Sequence, residues 1–163
     1  MRVMGVDPGT HRTGFGILES GGRDCKLVIC GTIRASSKDP IAKRLLHVFK
    51  SLQKTVRGYH PDVLALEMLF FAKDVRAVER IGEARACAML AASKEGIEVV
   101  EYAPTAVKQS VTGNGRAAKE QVQFMVKKLL GLAEVPAPDA SDALAIALCH
   151  IHSAKRKVLC TTP

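Results

Sequence analysis

Four carboxylates stand where chemistry can use them. Val3-Met4-Gly5-Val6 runs into Asp7, and Val63-Leu64-Ala65-Leu66 runs into Glu67. Each apolar run reads as a buried strand with an acid at its tip. Strand interiors disfavour acids and burial penalises their charge. The carboxyl end of a strand in an α/β sheet is different, because ligands collect there. Asp139 and Asp142 stand three apart, neighbours on one face of a helix. Three of the four also suit purely local roles. Asp7 before Pro8-Gly9 suits a turn, Asp139 after Pro138 suits a helix N-cap, and Asp142 suits a first-turn acid. Glu67 has no such local role, since Met68-Leu69-Phe70-Phe71-Ala72 follows it.

If the four converge, like charges about 4 Å apart repel by about 4 kcal/mol per pair at an effective dielectric near 20. Such a cluster requires protons or cations. Oxygen-only ligands suit Mg²⁺ or Mn²⁺. Two such ions held by carboxylates make a phosphodiester-cleaving site.

The elements that must position these acids follow from hydrophobic period. Strands are expected over 2–6, 13–18 and 26–33, joined by tight Pro-Gly and Ser-Gly-Gly turns as an antiparallel meander. Ile41, Leu45, Val48, Phe49, Leu52 and Val56 then recur at helical spacing, with Gly58 and Pro61 expected to end the helix. Val63 to Leu66 is the next strand, parallel to the first by a helical crossover. A second helix spans about 75–94. Its Ala77, Ala84, Ala88 and Ala91 share one face, which suits packing on its own sheet or on another copy. A strand over 97–100 follows, then a short helix from Pro104, a Gly113-Asn114-Gly115 break, a helix over 119–130, and a final helix from Asp139 to about His152. The order predicts an α/β fold, a mixed five-stranded sheet flanked by helices. One domain over 1–153 and a basic, disordered tail over 154–163 are expected.

The chain has 163 residues and a formal net charge of +8, a balance that suits a polyanionic partner or plain solubility. No run reaches the roughly 18 apolar residues of a membrane span, and the first apolar stretch is too short for a signal peptide. Five scattered cysteines form no paired metal motif, so a reduced, cytoplasmic protein is expected. No Walker-type loop and no Gly-x-Ser-x-Gly occurs. Gly113 to Ala118 matches the loose dinucleotide pattern but follows no apolar strand. His150 and His152 cannot face one ligand together, and His150 suits a helix C-terminal cation.

Phe70-Phe71 is conspicuous in a chain with no Trp, two Tyr and five Phe. The pair suits burial in a core. It equally suits a loop presenting an aromatic to unpaired bases, with Lys73 and Arg76 on nearby phosphates. Lys108, Arg116 and Lys119 gather around the Gly113–Gly115 turn, whose backbone N–H groups could approach a phosphate. They suit either a solvated face or a DNA contact. From Pro104 onward eight Lys/Arg face four Asp/Glu.

These residues together identify a resemblance. Gly5-Val6-Asp7-Pro8-Gly9, Leu66-Glu67 with Phe70-Phe71-Ala72-Lys73, Glu101-Tyr102-Ala103-Pro104, Val107-Lys108-Gln109, Ala118-Lys119, Gln121-Val122 and Asp139-Ala140-Ser141-Asp142-Ala143-Leu144-Ala145-Ile146-Ala147 stand in one ordered set. In this the chain resembles the RuvC family of crossover-junction (Holliday junction) endodeoxyribonucleases. The resemblance implies a ribonuclease H-like fold and a homodimer, with the helix after Glu67 at the dimer contact. It implies Mg-dependent paired nicking of four-way DNA junctions, with two ions per site that Mn can replace, and action beside RuvA and RuvB. Asp7, Glu67, Asp139 and Asp142 then match the metal-binding catalytic acids. Phe70 matches the aromatic at the junction centre, with Phe71 a second ring beside it, and Lys108 and Lys119 match DNA-contacting positions. A sugar-kinase or actin-like ATPase would need a second such domain, and a non-cutting junction binder has no use for four acids.

Overall fold

The computed structural model describes residues 1–21, 24–69 and 75–160. Ten elements run in the order β1 (Arg2–Asp7), β2 (Arg12–Gly21), β3 (Asp24–Arg34), α1 (Ile41–Tyr59), β4 (Val63–Glu67), α2 (Val75–Lys94), β5 (Glu98–Tyr102), α3 (Pro104–Thr112), α4 (Lys119–Leu129) and α5 (Pro138–Cys160). The sheet order is β3-β2-β1-β4-β5. β1, β2 and β3 pair antiparallel, while β1–β4 and β4–β5 pair parallel. This is the mixed five-stranded sheet expected, and its fold is the ribonuclease H-like one.

Two cores cover the two faces. On one face Val48, Leu52 and Val56 of α1 meet Cys87, Ala88, Ala91 and Ala92 of α2 over Met4, Val6, Ile17, Leu64 and Leu66. On the other, α3, α4 and the apolar face of α5 close over Val3, Leu18 and Ala65. Ala84, Ala88 and Ala91 are therefore covered within the chain, which is the own-sheet packing rather than a contact with another copy. The small side chains let α1 and the sheet approach closely.

Three boundaries differ from the periodicity. α1 passes through Gly58 and stops at His60, which adopts a left-handed conformation (φ 46°) and donates its N–H to the Val56 carbonyl. Glycine in a last helical turn costs little when nothing surrounds it, and nothing lies within 4 Å of a Cβ built there. α5 starts at Pro138, so Asp139 lies in its first turn rather than at the N-cap. α5 also continues to Cys160, past the point where a disordered tail is expected. His150 consequently sits inside the helix, not at its end, and its Nδ1 lies 2.8 Å from the Tyr102 hydroxyl.

The glycines of the first strands set how closely α5 lies on the sheet. A Cβ on Gly5 would fall 1.9 Å from the Ala143 carbonyl oxygen, and one on Gly14 the same distance from that of Asp139. α5 thus rests backbone to backbone on β1 and β2.

Candidate active site

The parallel register pairs Val6 with Leu66. Asp7 and Glu67, the next residues of each strand, therefore emerge side by side, with backbones about 4.8 Å apart. Gly14, opposite Asp7 on β2, lets the first turn of α5 descend onto the same sheet edge, which brings Asp139 and Asp142 to the two strand-end acids. The α5 start is tied down by Ser141, fully buried, whose hydroxyl donates to the Pro136 carbonyl at 3.0 Å.

All four acids are half-buried, and their fields overlap. Burial first, then the charges of Asp142, Glu67 and Asp139, push the Asp7 carboxyl up to about 7; Lys119 opposes the shift. Burial and Asp142 likewise raise Glu67, while Lys108 and Lys119 pull it down. Lys119, the first residue of α4, places its Nζ 2.6 Å from Asp142 Oδ2. That hydrogen bond and the surrounding acids hold its ammonium above the ordinary lysine range, against partial desolvation. The first turn of α4 is held by Gln121 Oε1, which accepts from the Ala118 N–H at 3.0 Å.

Two clefts open at this edge and share Glu67 and Pro104. One is lined by Lys108, Lys119 and Asp142 with the apolar Val107, Val122, Ala145 and Ile146. The other runs from Asp7 and Pro8 past Met68 and Leu69 to Ala77, Val78 and Ile81. Glu67 thus stands where the cleft that holds both lysines meets the more apolar one.

The donor chemistry fits a hard divalent cation: every candidate ligand is a carboxylate, and the neighbouring acids raise the carboxyls of Asp7 and Glu67. Among the described residues no three acids, histidines or cysteines are drawn into a preformed metal cage. Asp7, Glu67, Asp139 and Asp142 would hold such an ion.

The expected DNA contacts divide. Lys108 and Lys119 line the cleft beside the acids. Arg116 is exposed on the turn between α3 and α4 and pairs with no acid among the described residues. Arg76 is exposed in the first turn of α2. Phe70, Phe71 and Lys73 lie outside the described residues. The Gly113–Gly115 turn does not offer its amides to a phosphate. The N–H of Gly113 goes to the Gln109 carbonyl, that of Asn114 to Thr112 Oγ1, that of Gly115 to Gln109 Oε1 and that of Arg116 to Asn114 Oδ1.

Arg85 escaped the sequence reading. It is buried in α2, its Nη1 donates to the Glu67 backbone carbonyl, and its Nη2 pairs with Glu101 of β5. It thereby ties both strand ends to the helix. The only signal was an arginine amid the small residues of an inward helix face. Arg85→Met strips the Glu67 backbone carbonyl of its donor and the exposed Glu101 of its partner, and about 1–3 kcal/mol of stability is expected to be lost. Arg85→Met/Glu101→Gln leaves the Glu67 carbonyl without its donor and should recover only a minor part of the loss; thermal melting of the two variants checks this.

Comparison with known proteins agrees over nearly the whole chain. Residues 3–150 match the family described as crossover junction endodeoxyribonuclease RuvC. A protein of that name from Pelotomaculum thermopropionicum is 48% identical over 93% of this chain and 93% of its own. Another from Caldicellulosiruptor saccharolyticus is 48% identical over 94% and 93%. The structure of T. thermophilus RuvC in complex with Holliday junction substrate superposes with a TM-score of 0.91 at 33% identity, covering 96% of each chain.

Proposed function

The chain belongs to the RuvC family of crossover junction endodeoxyribonucleases, and on that footing we propose that the acids at its sheet edge cut phosphodiesters in four-way DNA. The enzyme is a Holliday junction resolvase, a nuclease of DNA recombination and repair. The observation that carries the site is the convergence of Asp7, Glu67, Asp139 and Asp142 from two parallel strands and one helix beside Lys119.

Divalent-metal dependence comes with the family. Magnesium, two ions per site with manganese as a substitute, suits the all-carboxylate donor set. When bound, the metal supplies an activated water and charge stabilisation at the leaving oxygen. The protein's own part is to hold the four carboxylates against their repulsion and to aim cations at the phosphate. Lys119, beside Asp142, would set its ammonium against the negative charge on the scissile phosphate. Lys108, on the other side of the cleft, holds the neighbouring phosphate, and Arg116 reaches the backbone further out. Phe70 and Phe71 stack against unpaired junction bases, with Lys73 and Arg76 on the phosphates beside them.

The protein works as a homodimer, because two like strands of a junction must be cut symmetrically. Val75 and Leu90 on the outer side of α2, 76% and 60% exposed, support a contact through that helix. RuvA and RuvB are the expected branch-migration partners. The cytoplasm is the proposed location; no helix among the described residues is long and apolar enough to cross a membrane.

A synthetic four-way junction and a linear duplex of the same sequence test the reading. With Mg²⁺, paired nicks in opposing strands of the junction and none in the duplex are expected, and a chelator should stop them. Equal cutting of both substrates would sink the proposed selectivity.

A further inference from the structure

A second group of cations occupies the opposite end of the acidic edge. β1, β3, β4 and β5 all run the same way, so Arg34, the last residue of β3, stands at the same sheet edge as Asp7 and Glu67. Arg34 stands opposite Arg12 of β2, and the Ala35 N–H donates to the His11 carbonyl at 3.0 Å. Arg44 of α1 lies over the same turn, its Nη1 2.5 Å from His11 Nε2. Between them is a concavity lined by Arg34, Ser36, Asp39, Lys43, Arg44 and His47. Its one acid, Asp39, makes a loose pair with Lys43 at 3.8 Å. Arg12 and Arg34 are exposed and pair with no acid among the described residues.

The helix start sharpens the charge. α1 has no acid in its first turn and no side-chain cap, and Lys43 and Arg44 stand near its positive end instead. The two cations oppose the helix dipole, and an anion placed there would relieve that repulsion.

We propose that this concavity is a second phosphate-binding wall, which holds the DNA backbone on the side of the acids away from Lys108 and Lys119. The proposal rests on the nuclease reading above. The sheet order puts β3 and β5 four strand spacings apart, roughly 19 Å, with the acids on β1 and β4 between them. That span is comparable to the breadth of a double helix. A strand whose scissile phosphate sits at the acids would therefore have cations on both flanks, one wall from α3–α4 and the other from β3–α1. The surface is one of charge rather than shape, so its occupant is the phosphodiester backbone and not a base or a protein side chain.

Arg34→Glu/Lys43→Glu tests the wall, since both side chains are exposed and folding should be unchanged. Lys50→Glu/Lys54→Glu, on the outer face of α1, alters net charge identically and serves as the control. Junction affinity is measured in chelator across a salt series. The first pair should weaken binding at least about tenfold and reduce the salt slope by about 2, as loss of two phosphate contacts requires. The control pair should change affinity less than about twofold. Equal effects of the two pairs, or none from the first, would overturn the wall. Wild-type protein that cuts no junction would instead overturn the nuclease reading; cutting by wild type with an unshifted Arg34/Lys43 variant overturns the wall alone.

Discussion

Asp7→Asn is expected to lower junction cleavage by about a thousandfold while leaving junction binding intact, the order of loss when one preorganised charge-stabilising group is removed. Asn keeps the size and one acceptor oxygen, so β1 and the turn at Pro8 are preserved. What it removes is a charge at the centre of the acid cluster. The same change should stabilise the protein at alkaline pH. In the folded chain the Asp7 carboxyl is pushed from 3.8 to about 7, first by burial and then by its acidic neighbours. The folded state therefore binds this proton more tightly than the unfolded one. The stability this proton contributes is fully present below pH 4 and is lost as pH rises through 7. The shift corresponds to about 4 kcal/mol. Without divalent ions the variant should melt about 5 °C or more above wild type at pH 8 and level with it near pH 4. Mg²⁺ should close the gap at pH 8 by binding wild type, since a ligand of the native state alone stabilises it. Loss of cleavage and binding together would mark Asp7 as a structural residue. A melting difference independent of pH would refute the buried charge.

Gly14→Ala is expected to cost about a hundredfold in cleavage although it touches no acid side chain. The added Cβ would lie 1.9 Å from the Asp139 carbonyl oxygen and 2.4 Å from its carbon. Both are backbone atoms, so no side chain can turn aside, and the first turn of α5 must retreat by about 1.5 Å to reach van der Waals contact. Asp139 and Asp142 move with it. A misplacement of about 1 Å at a reacting centre costs on the order of 10²-fold, and overpacking about 1–3 kcal/mol of stability. Gly58→Ala is the matched comparison. Nothing lies within 4 Å of its Cβ, and helical alanine should leave cleavage unchanged while raising stability by up to about 1 kcal/mol. Melting curves and single-turnover cleavage of both variants decide the matter; a Gly14→Ala enzyme that cuts at wild-type rate would show that α5 does not set the acid positions.

Much of the molecule was legible in the order of residues because it is local. Strand and helix periods repeat within a few residues, and a crossover helix between Val6 and Val63 allows a parallel pair. An acid that ends an apolar run announces itself without a partner. Four such acids in a chain of charge +8, carried in the ordered motifs of one family, pointed to metal-assisted phosphodiester cleavage. Other features were not local. Whether α1 ends at Gly58 depends on what surrounds that glycine, and His150 became an interior residue because α5 runs on to Cys160. The alanines of α2 suited either a second copy or the chain's own sheet, and the burial of Ala84, Ala88 and Ala91 chose the sheet. The amides of the Gly113–Gly115 turn looked available until Gln109, Thr112 and Asn114 were seen to take them.

The sequence by itself determined which residues carry charge, which segments are strands and helices, and the family in which these acids belong. Only the tertiary structure decided their company. It set Lys119 on Asp142, put Arg85 beneath Glu67, let Gly14 admit the α5 backbone, and lined up Arg34 and Arg44 at the far end of the same edge. The physical reason is range. Propensity and hydrophobic period act over a few neighbouring residues, whereas a carboxylate's charge state and a glycine's necessity depend on atoms brought close from 60 to 138 positions away.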